Sequence, residues 1–74
     1  MPYEYSKLIG RIIEKFGTRA AFSRQIGISE HTVSKKLTGK QEWKQGEIEK
    51  ACELLDISKE DVAVYFFKHK VQHH

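Results

Sequence analysis

The sequence predicts an all-α domain, and three observations predict it. Apolar residues recur at helical spacing through most of the 74-residue chain. Residues suited to helix starts, Thr18, Ser29 and Ser58, stand just before periodic runs. Pro2 is the only proline, so nothing after it interrupts a helix. A chain this short reads as one domain, residues 1–74, with a thin core and no room for a deep catalytic cleft.

The first helix is expected over about Tyr5 to Phe16, where Leu8, Ile9, Ile12, Ile13 and Phe16 form one apolar stripe and Gly17 supplies a stop. A second helix starts behind Thr18 and runs to about Ile26, with Ala21, Phe22 and Ile26 inward. Gly27 can take a positive φ cheaply and so reverse the chain in one residue. Ser29 then caps a third helix, about Glu30 to Leu37, whose buried side is Val33 and Leu37 at i, i+4. Gly39 ends it. Residues 40–46 form a polar loop holding Trp43, read as a packing residue. A fourth helix follows from about Gln45 to Leu55, with Ile48, Ala51, Cys52 and Leu55 on one stripe. The last element spans about 58–70, and Ser58 with Asp61 resembles a capping box. Val62, Tyr65, Phe66 and His69 share a helical side. Yet the run is rich in β-branched and aromatic residues, so a terminal strand is a real alternative.

Composition excludes several classes of function. The single cysteine, Cys52, rules out an internal disulfide framework and suits a reducing cytoplasm. It sits on an apolar stripe and reads as a small core residue. The N-terminus has no basic segment followed by an apolar run, and no stretch is long enough to span a membrane. No phosphate-binding loop, dinucleotide fingerprint or zinc spacing is present. His69 and His73 could chelate a metal if helical, but two ligands near a chain end make a weak site. Ser29 or Ser34 near His31 lacks an acid, an oxyanion hole and a pocket. The expectation is a non-enzyme with no cofactor and no metal.

Charge is uneven. Residues 18–44 carry six basic groups against Glu30 and Glu42, whereas residues 45–74 carry four basic and six acidic groups. Positive charge is thus concentrated on the second and third helices and the loop after them, a footprint suited to a polyanion. Two short helices joined at Gly27, over about residues 18–38, are the pattern of a helix-turn-helix, which places its second helix in the DNA major groove. On that reading Glu30, His31, Ser34 and Lys35 point away from the Val33–Leu37 side and could meet base edges. Ser29, Thr32 and Lys36 border that surface, and Thr18, Arg19, Lys40 and Lys44 lie near element ends where phosphate contacts are usual.

The stretch resembles the lambda-repressor-like (Cro/C1-type, or XRE) helix-turn-helix family. The resemblance is carried by Arg19-Ala20-Ala21-Phe22-Ser23, Ile26-Gly27, Ser29, Thr32-Val33 and Leu37-Thr38-Gly39-Lys40, with Glu47-Ile48 and Ala51-Cys52-Glu53-Leu54-Leu55 downstream. It implies a five-helix domain that binds double-stranded operator DNA, commonly as a dimer, as small phage or prophage repressors do. Base reading would then fall on Ser29, Glu30, His31, Ser34 and Lys35, and phosphate contacts on Thr18, Arg19, Thr32, Lys36, Lys40 and Lys44. Two positions depart from the family pattern: Ser23 replaces an alanine, and Lys36 stands where an apolar residue is usual. Val64, Tyr65, Phe66 and Phe67 exceed what one small core can bury, so a homodimer through this segment is expected. The competing expectation is a protein-interaction module, an antitoxin or an anti-repressor, acting through the same apolar C-terminal segment.

Overall fold

The stripe of the first helix explains how the rest assembles. In the computed structural model, which describes residues 3–69, α1 (Ser6–Phe16) buries Leu8 and Ile12 completely. It packs against α2 (Arg19–Ile26), α4 (Gln45–Leu55) and α5 (Val62–Phe66), while α2 also packs against α3 (Glu30–Leu37) and α4. A 3₁₀ turn over Lys59–Asp61 leads into α5. The core gathers Leu8, Ile12, Phe22, Val33, Ala51 and Leu55, all at zero exposure, with Phe66 closing it from α5. This is the expected all-α architecture of five helices, and no strand is present among the described residues.

Local chemistry sets the boundaries. Thr18 caps α2 by accepting from the Ala21 N–H at 3.1 Å, and Ser29 caps α3 by accepting from the Thr32 N–H at 3.2 Å. Gly27 ends α2 in the left-handed region at φ 80°, and its N–H donates to the Ser23 carbonyl. The α4 N-terminus is closed by Glu47, which accepts from the Lys44 backbone N–H at 2.9 Å. Its C-terminus has no basic residue in its own last turn. α1 supplies the missing cations: Arg11 Nε donates to the Leu55 carbonyl at 2.9 Å, and Lys15 pairs with Asp56 at 2.6 Å.

The C-terminal segment resolves in favour of helix, but α5 is one and a half turns long and stops before His69. His69 instead forms an isolated bridge with Tyr3, whose ring lies 5.7 Å from that of Phe67. The Ser58–Asp61 pair exists as a side-chain hydrogen bond, Ser58 Oγ to Asp61 Oδ2 at 3.1 Å, and not as a backbone cap. His73 lies outside the described residues.

Candidate functional site

Two surfaces emerge, the outer side of α3 and a groove beside α4. On α3, Ser29, Glu30, His31 and Lys35 are exposed, and Ser34 and Thr32 half-exposed. Ser29 Oγ is spent locally, donating to Thr32 Oγ1 at 2.8 Å besides capping the helix. Thr18, Lys40 and Lys44 are exposed and Arg19 half-buried, so these stand at element ends as expected.

Lys36 does not. It is 1% exposed, so the expected phosphate contact is corrected: its ammonium cannot reach a ligand on the α3 surface. Instead Nζ donates to the Glu42 carbonyl at 2.9 Å, pairs with Glu47 Oε1 at 2.8 Å, and lies 5.9 Å from the Trp43 ring centroid. The side chain occupies the apolar position near the end of α3 with its stem and satisfies its charge at the far end. One lysine thereby ties α3, the connecting loop and α4 together. The signal was in the sequence, a lysine where the resembled family has an apolar residue. Burial pushes the Glu47 carboxyl up, but the hydrogen bonds from Lys36 and the Lys44 N–H, with the charge of Lys36, outweigh it and hold the carboxyl below its ordinary value.

The groove lies between α4 and the C-terminal segment. Its volume is about 780 Å³, and its apolar lining is Trp43, Ile48, Cys52, Ile57, Val62 and Phe67. A smaller recess of about 240 Å³ adjoins it, sharing Trp43, Ile48 and Phe67. The stripe on α4 is therefore split. Ala51 and Leu55 are buried in the core, while Ile48 and Cys52 are half-buried and form the groove. Burial pushes the Cys52 thiol above its ordinary value, which leaves it a poor nucleophile at neutral pH. The Trp43 indole N–H is buried without an acceptor among the described residues. Sequence reasoning placed Ile48, Ala51, Cys52 and Leu55 on one stripe and read Cys52 as a core residue. Its breadth was the signal that one contact could not cover it.

The expected dimer segment is divided in the same way. Phe66 is 1% exposed and belongs to the core, and Tyr65 is half-buried with Lys7 Nζ 5.6 Å from its ring. Only Val64, at 40%, and Phe67, at 44%, remain exposed. Among the described residues no cluster of three His, Cys, Asp or Glu could hold a metal, and no helix is long and apolar enough to cross a membrane.

Comparison with known proteins places these surfaces in context. The model of a family described as "Protein of unknown function (DUF739)" matches residues 1–69. No curated protein matches. Among solved structures, the solution structure of the modulator of repression (MOR) of the temperate bacteriophage TP901-1 from Lactococcus lactis is 47% identical, covers 97% of each chain and superposes with a TM-score of 0.79. The match names this family, not the lambda-repressor-like regulators that the sequence resembles. It overturns the expectation of an operator-binding repressor, and with it the expectation of operator DNA and a C-terminal homodimer as partners: the similar protein is a modulator of repression. The physical counterpart is visible in the chain. The α3 surface loses Lys36 to the interior, and the C-terminal segment spends Phe66 on the core.

Proposed function

We propose, for a chain that belongs to the DUF739 family, that it modulates repression by contacting a repressor protein and not by occupying operator DNA. The observation that carries this reading is the likeness to the lactococcal phage modulator across nearly the whole of both chains. An open apolar groove on a 74-residue domain supports it, because large exposed apolar recesses on small domains mark sites where another molecule docks. The anti-repressor alternative drawn from the sequence is the form this reading takes. A phage or prophage origin and action in the bacterial cytoplasm accord with it. The capped α2, the turn at Gly27 and α3 support kinship with the lambda-repressor-like fold, here turned to protein contact.

The test uses the repression circuit of phage TP901-1. A reporter placed under a repressed promoter of that phage is measured with its own modulator and with this chain in its place. We expect this chain to shift reporter output in the same direction as the phage modulator, and the purified chain alone to leave an operator duplex unretarded. No effect on the reporter, together with retardation of the duplex by the chain alone, contradicts the reading.

A further inference from the structure

The groove beside α4 carries charge as well as apolar area, and the two together define what fits it. Gln45, Glu49 and Glu53 stand on the α4 side, with Lys59 at the other edge. Glu49 and Glu53 are exposed, one helical turn apart, and neither forms an ion pair among the described residues. Lys50, between them in sequence, is turned to the opposite side: a Cβ on Gly27 would lie 3.9 Å from its Nζ. The carboxylates of Glu60 and Asp61 are exposed just beyond Lys59. The groove is thus an apolar floor with an acidic margin, on a molecule whose positive charge is concentrated elsewhere.

Its length is set by α4. From Gln45 to Glu53 the helix rises about 12 Å, the length of two helical turns. That span accommodates two apolar anchors at i, i+4 of a docked helix, the usual arrangement for a helix in a groove. The outer side of α3 offers no comparable apolar anchor, because its exposed residues, Ser29, Glu30, His31 and Lys35, are all polar or charged.

We propose that this groove receives an amphipathic helical segment of the partner protein, apolar along the side that meets Ile48, Cys52 and Phe67 and carrying lysine or arginine on the flank that meets Glu49 and Glu53. The inference rests on the reading that the chain acts on another protein, and adds the site and the chemistry of the segment it takes. The apolar anchors supply affinity, and the two carboxylates supply orientation and discrimination against acidic segments.

The experiment titrates the full chain with two synthetic amphipathic peptides of about 18 residues, long enough for helix formation. They share one apolar seam, flanked by lysines in one and by glutamates in the other. Trp43, the only tryptophan, lines the groove and reports occupancy by its fluorescence, and amide shifts locate the bound peptide. We expect the lysine peptide to bind at least about tenfold more tightly, a difference of about 1.4 kcal/mol, with shifts at Ile48, Cys52, Val62 and Phe67. Glu49→Lys with Glu53→Lys should invert the preference, and Glu49→Gln with Glu53→Gln should abolish it, which guards against a folding defect in the reversed variant. Equal binding of both peptides, shifts confined to α3, or an unchanged preference in both double variants would overturn the inference. So would self-association of the chain through the groove, seen by sedimentation. The reporter separates the two readings. If it responds equally to the chain and to both double variants, modulation stands and the groove assignment falls. If the groove selects the lysine peptide but the reporter is unmoved, the groove stands and modulation falls.

Discussion

Lys36 shows how a single side chain can change the meaning of a surface. Its charge is enclosed between the Glu42 carbonyl and the Glu47 carboxylate, so its contribution is to join α3 to α4. Removing the Glu47 charge leaves a buried ammonium without compensation, whereas removing Lys36 leaves a carboxylate that is partly exposed and still accepts from the Lys44 N–H. Glu47→Gln should therefore destabilise the chain by about 3 kcal/mol in urea unfolding, and Lys36→Met by about 1 kcal/mol. The pH dependence has a definite sign. Glu47 is held below its ordinary value in the folded chain, so the stability it adds is present above its unfolded value and is lost as pH falls through the folded one. Unfolding free energy should drop on acidification below about pH 4, and the drop should be shallower in Glu47→Gln.

At the scale of elements, α1 to α4 were legible because their signals are local and repeated. Leu8, Ile12 and Phe16 mark one periodic stripe, Thr18 and Ser29 cap the two helices that follow, and Gly27 supplies the left-handed residue between them. Gly27→Ala should cost about 1–2 kcal/mol by thermal unfolding, since no side chain crowds the position and the strain of a positive φ is the whole effect. Ser29→Ala should cost about 1 kcal/mol through the lost cap. The C-terminal segment was not legible. Val62–Phe66 is too short to display a helical period, and its β-branched and aromatic residues favour a strand when read alone. What decides for helix is tertiary: Phe66 is accepted into the core against Trp43, with ring centroids 5.3 Å apart. The groove was hidden for a related reason. Ile48 and Ala51 read alike in sequence, and only the packing of α1 and α2 on one side of α4 decides which is covered.

The whole molecule is electrically two-sided, and function was misread from one side of it. The basic concentration over residues 18–44 is real, but Lys36 is internal and the acidic concentration over residues 45–74 flanks the larger recess. A positive stretch read by itself points to nucleic acid. Set beside an acidic, apolar groove and a 47% identical modulator of repression, it no longer decides the partner. Because Glu49 and Glu53 are exposed and unpaired among the described residues, reversing both should leave unfolding free energy within about 0.5 kcal/mol while altering partner choice. The central claim is that the chain acts on a repressor and not on its operator. Sedimentation of the purified chain with the purified repressor of phage TP901-1, and separately with that repressor's operator duplex, tests it most directly. The account predicts co-sedimentation with the repressor and free sedimentation beside the duplex. Migration with the duplex alone, weakening steeply with salt, and none with the repressor would contradict it.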